Sequence, residues 1–173
     1  MSRFLIKGFY RDRIFNMEDR KIFDSGWRSN LIVLRCRILL AGFIRNDTTL
    51  GIRELQVGKG DPSWDTTPPP LPDPNLMTKL ADPNPFSIPH SDLDMHYLNT
   101  SDEIVEGPTN RIQIISKIGQ NIPTPPTEPP YPLREFGIFG EFNGSLYMIN
   151  YIRHALIEKD ASATLERKLR LIF

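Results

Sequence analysis

The longest apolar run of the chain, NLIVLRCRILLAGFI, extends from Asn30 to Ile44 and predicts a helix. Its apolar residues recur at helical spacing, and Ser29 or the Asn that follows it is a suitable N-cap. We expect a buried helix that ends near Asn46, where Asn and Asp supply a stop signal. Arg35 and Arg37 interrupt the run, either as a narrow solvated stripe or as partners for a carboxylate at an interface.

The remaining apolar residues are arranged with the two-residue period of β-strands. Asn143-Gly144 is a strong hairpin signal, because both positions of such a turn adopt positive φ. In the last strand Arg167 interrupts the apolar face, so we expect it to pair with an acidic residue or to lie at a sheet edge. The predicted strands are 51–58, 111–119, 133–140, 145–157 and 164–173.

A further alternating segment, SDLDMHYLN, predicts a strand with a polar face. Together with His90, that face has the pattern H-x-D-x-D-x-H, which is the only arrangement here with metal-site character. Four alternate positions extend over about 20 Å, so at most two of them can serve one ion. We therefore favour a solvated strand face over a metal site. The four candidate ligands are His90, Asp92, Asp94 and His96.

Two proline-rich segments separate these elements. The first, VGKGDPSWDTTPPPLPDPN, contains Trp64 among residues that disfavour both helices and central strands. Disordered segments contain few aromatic residues, so we expect an ordered surface arm fixed by this side chain. The second segment, NIPTPPTEPPYP, favours an extended polyproline conformation and is either a stiff strap or a ligand of the PxxP type.

These patterns predict an α+β fold that is mainly β. We expect an antiparallel sheet or sandwich with one buried helix and two long proline-rich arms. The sequence divides into a helix-containing part (1–122) with an arm at about 58–92, a strap at 123–132, and a C-terminal β-hairpin module at 133–173. All of these are expected to form one compact unit.

Composition narrows the range of functions. The chain has 21 basic and 21 acidic residues, and this neutral balance argues against nucleic-acid binding through bulk charge. The apolar run is too short to span a bilayer, which takes about 20 residues, and we see no signal peptide. Cys36 is the single cysteine, expected in the core. No catalytic motif is present, so we expect neither an enzyme nor a cofactor, and synthesis in a reducing cytoplasm.

Two blocks of the sequence resemble parts of bacteriophage tail proteins and of related contractile injection systems. IRELQVGKGDPSWDTTPPPLPDPNLMTKL is similar to a pattern of phage structural proteins, and LREFGIFGEFNGSLYMINYIRHALIEKDASATLERKLRLIF resembles a module of tail-fibre and baseplate-attachment proteins. Together they cover 70 of the 173 residues. In the first block the resemblance depends on Gly58, Gly60, Asp61, Pro62, Trp64, Asp65, the prolines through Pro74, and Leu80.

The resemblance implies a structural subunit of a virion tail or tail-like particle, assembled in the bacterial cytoplasm as a baseplate or fibre adaptor. Its expected partners are copies of itself, in a symmetric homo-oligomer, and other tail proteins. A neck, collar or tail-cap component is the alternative within such a particle. A free-standing module that binds a proline-rich or sugar ligand, and a metal-dependent enzyme, are the alternatives outside it.

Assembly by contact would require exposed anchor residues. Large aromatic side chains dominate such contacts, which makes Trp64, Phe86 and Tyr131 the expected anchors. The alternative for Trp64 is that it packs only on its own domain. Further interface candidates are Arg35, Arg37 and Phe173.

Overall fold

The computed structural model describes residues 5–173. These residues form two sheets in which every strand pair is antiparallel, together with one α-helix and two short 3₁₀ helices. The fold is therefore mainly β with a single helix, as the sequence predicts.

The larger sheet has seven strands in the order β2-β1-β12-β9-β7-β8, with β3 also pairing with β1. The chain thus returns at its C-terminal strand to pair with its first strand. The strands are β1 (Lys7–Phe15), β2 (Lys21–Asp24), β3 (Arg28–Ser29), β7 (Leu93–Leu98), β8 (Ile104–Val105), β9 (Arg111–Ile118) and β12 (Thr164–Ile172).

The smaller sheet has five strands in the order β4-β11-β10-β5-β6. The hairpin of β10 and β11 turns at Asn143 (φ 49°) and Gly144 (φ 77°), which confirms the predicted turn. The strands are β4 (Leu31–Ile32), β5 (Thr49–Gly58), β6 (Phe86–Pro89), β10 (Tyr131–Phe142) and β11 (Ser145–Lys159). The range 133–173 is divided between the sheets, because β12 belongs to the larger one.

The two sheets pack face to face as a sandwich, and their inner faces contribute to one hydrophobic core. Tyr10 of the larger sheet meets Phe136 of the smaller one edge-to-face, with ring centroids 5.5 Å apart. The inward residues of β12 alternate with polar residues on its other face, as the sequence predicts; they are Leu165, Arg167, Leu169 and Leu171.

A buried ion pair lies in this core. Arg167 and Asp12 are direct neighbours across β12 and β1, and both are fully buried. Arg167 Nε donates to Asp12 Oδ1 at 2.7 Å, and Nη2 donates to Oδ2 at 3.0 Å. The guanidinium carbon lies 3.5 Å from the centre of the Phe136 ring, so the pair also contacts the opposite sheet. The predicted acidic partner of Arg167 is therefore Asp12.

His154 of β11 completes this cluster. Its Nε2 lies 3.2 Å from Arg167 Nη2, and its Nδ1 lies 2.7 Å from the carbonyl oxygen of Ala155. An arginine can only donate, so Nε2 is the acceptor and Nδ1 carries the proton of a neutral ring. Burial and, secondarily, the charge of Arg167 lower the pKa of His154 to about 4.

The helix α1 (Leu34–Ile44) is shorter than expected and is buried on one side only, at Cys36, Leu39 and Gly42. Val33 is its N-cap and makes no side-chain hydrogen bond, whereas the residues predicted to cap the helix lie in or between the short strands β3 and β4. Only the side of Cys36 and Leu39 enters the core, as expected for the cysteine. Within residues 5–173 no helix has the combined length and apolar character of a membrane span.

The second proline-rich segment lies at the end of the sandwich that is remote from α1. Asn121 N donates to the carbonyl oxygen of Ala161 at 2.8 Å, and the buried Lys159 Nζ donates to that of Gly119 at 2.9 Å. These bonds hold the start of the segment against the loop between β11 and β12. It is thus attached to its own chain at this point.

The first prediction concerns the buried pair. Asp12→Ala should lower the free energy of unfolding by about 3–5 kcal/mol, because it leaves the Arg167 charge buried without a carboxylate. The combined replacement Asp12→Leu with Arg167→Met should recover most of this loss, since no buried charge remains. Urea denaturation measures both effects. Asp47→Ala, which breaks the exposed pair with Arg45, is the matched control and should leave stability nearly unchanged.

The second prediction concerns pH. The folded pKa of His154, about 4, lies below the value of about 6.5 for an unfolded histidine, so the unfolded chain binds the proton more readily. Its stabilising contribution is complete above about pH 6.5 and should fall by up to roughly 3 kcal/mol as the pH drops to about 4. His154→Gln should remove this part of the pH dependence. Equal pH slopes for both proteins in denaturant titrations would show that the group does not titrate in this way.

Candidate interaction surface

Helix α1 has an apolar residue at nearly every position, including those that face away from the sandwich. A helix that is apolar on all sides is normally buried, whereas a surface helix has a polar outer face. Here Ile44 is 84% exposed and Phe43 is 71% exposed, with Leu34 and Ile38 also exposed. The outer side of α1 is therefore an apolar surface of a kind that marks contact sites.

A cavity of about 560 Å³ opens beside the second half of α1. It lies where the helix leaves a gap between the ends of the two sheets, and its walls are mainly apolar, with Thr49, Arg53 and His90 as the polar residues. Three exposed side chains surround its mouth: Phe43, Leu50 and Phe173. The exposed side of α1 and this cavity are continuous through Phe43, and together we call them the α1 surface.

Two arginines give the α1 surface a positive character. Arg53 lines the cavity and lies 3.5 Å from Glu141, whereas Arg37 forms no ion pair with any described residue. Burial raises the pKa of the Cys36 thiol in the cavity wall to about 11, and the nearby Arg37 charge opposes this rise. A thiol of this kind is not a nucleophile at neutral pH.

The first proline-rich segment, expected to be an ordered surface arm, folds back over the outer face of the five-stranded sheet. Arg134 forms two hydrogen bonds with Asp65, at 2.9 and 2.6 Å, and a third with the carbonyl oxygen of Lys59. Farther along, Leu80 is buried in a second apolar cluster on this face. The segment is therefore anchored to strands through charged side chains.

Trp64 is half-buried against its own chain. The guanidinium of Arg153 lies 5.3 Å from the centre of its ring, and the same group donates to the carbonyl oxygens of Pro70 at 2.8 Å and Pro69 at 3.2 Å. Gly60, with φ 58°, lies beneath the indole, where an added Cβ would come within 2.5 Å of the ring. Trp64 therefore packs against its own chain and keeps part of its ring exposed.

The buried carboxylate of Glu135 holds the far end of this segment. It accepts hydrogen bonds from the amides of Ala81 at 3.0 Å and Asp82 at 2.7 Å, and from the Tyr151 hydroxyl at 2.9 Å. Asp82 in turn accepts from the amide of Lys59 at 2.7 Å, which closes the base of the loop. Burial, followed by the charge of Glu135, raises the pKa of Tyr151.

The tip of the loop remains accessible. Leu71 lies between Pro70 and Pro72 and is 91% exposed, more than any other large apolar side chain described. Asp73 follows two residues later; its carboxylate accepts from the Asn75 amide at 2.8 Å and has no cationic partner within residues 5–173. The anchored loop therefore presents Leu71 and the Asp73 carboxylate to the exterior, with Leu76 also exposed nearby.

The other residues predicted at an interface are dispersed. Tyr131 is buried, and burial raises the pKa of its hydroxyl to about 12. Phe86 is partly buried against the main core, and Arg35 stacks on Tyr147 at 4.6 Å. Of the predicted set, only Arg37 and Phe173 belong to the α1 surface and are exposed.

The four predicted metal ligands do not share one strand face. Residues His90–Asp92 form a 3₁₀ helix after Pro89, and β7 begins only at Leu93. The turn redirects the first half of the pattern, and His90 Nδ1 lies 2.9 Å from the Ile52 carbonyl oxygen. Within the described part of the chain, no group of three or more His, Cys, Asp or Glu residues is arranged to hold a metal ion.

Periodicity and motifs in the sequence do not reveal the loop anchors Arg134, Glu135 and Arg153. Each lies in a strand whose other residues are largely apolar, and its partner is 53 to 84 residues away in sequence. A charged residue inside an apolar strand was the available signal, and only Arg167 was interpreted in that way.

Comparisons with protein-family models, with curated proteins and with solved structures found no match to this chain.

The third prediction tests the anchoring of the loop. In a Trp27→Phe background, where Trp64 is the only indole, Arg153→Ala should make Trp64 more accessible to acrylamide quenching. The substitution removes a cation–π contact and two hydrogen bonds that together contribute about 1–3 kcal/mol to loop docking.

Arg170→Ala is the matched control, because Arg170 stacks on Trp27 instead, at 4.0 Å. In the same background it should leave the quenching of Trp64 unchanged. Equal quenching of Trp64 with and without Arg153 would show that this arginine does not hold the loop.

Proposed function

We propose that this chain is a structural subunit of a bacteriophage tail or phage-tail-like particle, in which it acts by protein–protein assembly as a baseplate or fibre adaptor. Its partners would be copies of itself and other tail proteins. Its location would be the tail of the particle.

The observation that carries this proposal is the α1 surface. An exposed helix without a polar face, next to an open apolar cavity, has a large area of apolar contact with water. Each square ångström of such area that a partner covers contributes about 25 cal/mol. A neighbouring subunit is the simplest means of covering a helix and a cavity together.

Three further features support a role in assembly. The two sequence blocks that resemble phage tail proteins form the anchored loop and the strands β10 to β12. The chain is electrically neutral, so long-range repulsion between subunits is weak. The loop is rigid before any contact is made, which lowers the entropy that association would cost.

The fourth prediction tests incorporation into a particle. Mass spectrometry of purified tails or tail-like particles from the phage or cell that encodes the chain should detect it at a fixed ratio to other tail proteins. Ile44→Lys should yield a folded protein that is depleted from these particles, because the lysine places a charge in the middle of the α1 surface. Lysine near the end of a helix is compatible with the helix dipole, so folding should be retained.

Met17→Lys provides the matched control. Met17 is 71% exposed but lies in the turn between β1 and β2, at the end of the sandwich remote from α1. This variant should be incorporated normally. Complete, infectious particles that lack the chain would refute the proposed function.

A further inference from the structure

We propose that the α1 surface receives the tip of the proline-rich loop of a second copy of this chain, with Leu71 in the apolar cavity and Asp73 beside Arg37. This inference rests on the proposed function and names the partner of the α1 surface. It brings together the open cavity at α1 and the exposed loop tip, which do not contact each other within one chain.

The two surfaces match in apolar character. The cavity is open, has a volume of about 560 Å³ and has apolar walls, whereas Leu71 is an apolar side chain with almost its whole surface in water. The cavity therefore has room for a leucine side chain. The transfer removes apolar area from water on both partners, which is the main favourable term in association.

They also match in charge. Arg37 has no ion-pair partner within residues 5–173, whereas the charge of Arg53 at the cavity is already paired with Glu141. Asp73 has no cationic partner within the same residues and lies close to Leu71. Complementary charges at the rim of an apolar contact fix its orientation and exclude wrong partners.

A symmetrical contact between two α1 helices is less favourable. The helix sequence LRCRILLAGFI contains two arginines and no acidic residue. Pairing two α1 helices would bring their arginines together with no carboxylate on either helix, and like charges at an interface oppose association. The acidic loop tip of another copy is a better partner on electrostatic grounds.

The contact has to form between copies. Within one chain Leu71 lies beside Tyr10, Asn30 and Arg153, and it is not part of the apolar cavity. Bonds to Arg153 and to the amide of Leu34, which donates to the Pro74 carbonyl oxygen at 2.9 Å, hold the tip in place. A loop on one copy and a cavity on the next make a head-to-tail contact, which closes into a ring or continues as a filament.

The experiment is a measurement of self-association of the whole purified chain by sedimentation equilibrium and native mass spectrometry. The unmodified chain should associate in a concentration-dependent manner below about 1 mM, the weak end of specific affinities. Leu71→Lys and Leu50→Lys should each weaken association by at least about 30-fold, the effect expected of a central contact residue. Met17→Lys should associate like the unmodified chain, and circular dichroism should show that all variants are folded.

The charge match has its own test. Asp73→Asn retains the acceptor for the Asn75 amide and removes the charge, and Arg37→Gln removes the charge of the proposed partner. Each single change should weaken association several-fold, and the double variant should be no weaker than either, because the two residues share one interaction. Independent, additive effects would contradict the pairing of Asp73 with Arg37.

Cross-linking tests the geometry directly. In a Cys36→Ala background, a chain with Leu71→Cys is mixed with an isotope-labelled chain with Leu50→Cys and oxidised. Mixed disulfide dimers should exceed those formed when Met17→Cys replaces Leu71→Cys.

A chain that stays monomeric at every concentration, or that associates equally well without Leu71, would overturn the inference. Neither result would affect the detection of the chain in purified particles, so failure of this contact is distinguishable from failure of the proposed function.

Discussion

The buried pair of Asp12 and Arg167 is the constraint on which the sandwich depends. The two residues face each other across β1 and β12, near the two ends of the chain, and this register brings the Arg167 guanidinium to the Asp12 carboxylate. A shift of one residue would turn Arg167 to the outer face and leave Asp12 buried without a cation. Because Arg167 also stacks on Phe136 and donates to His154, the same pair defines how the smaller sheet lies on the larger one.

The sequence predicted the fold class because the strongest local signals were all β signals. The Asn143-Gly144 turn and the alternation of β12 correspond directly to the structure. Strand β1 was not predicted, because its fully buried positions are Gly8, Tyr10 and Asp12, which do not form an apolar stripe. The side chain that makes β1 an inner strand is charged, and its partner is 155 residues away. Hydrophobic periodicity cannot detect a strand of this kind.

Of the candidate interaction surface, the sequence predicts that the proline-rich loop is ordered but not which way it runs. Trp64 within a proline-rich segment indicated an ordered loop, and the structure contains one. The direction of that loop depends on Arg134, Glu135 and Arg153, whose charges point to the outer face of a sheet that appears apolar in sequence. The α1 surface could not be predicted either, because there the residues are apolar and yet exposed. An apolar helix indicates burial, and no pattern within one chain shows whether another molecule covers it.

The charged residues of this chain act mostly within the subunit, and its exposed apolar residues are the groups available for contact with other molecules. Many charged groups are used inside the subunit, in the core pair and in the anchors of the loop, and these interactions tie the loop and the two sheets together. What remains at the surface is an apolar helix beside an open cavity, and a stiff loop tip with one leucine. A rigid subunit loses little conformational freedom when such surfaces meet, so even a contact of small area can form specifically. The proposed association between subunits would use the apolar groups that this distribution of charge leaves at the surface.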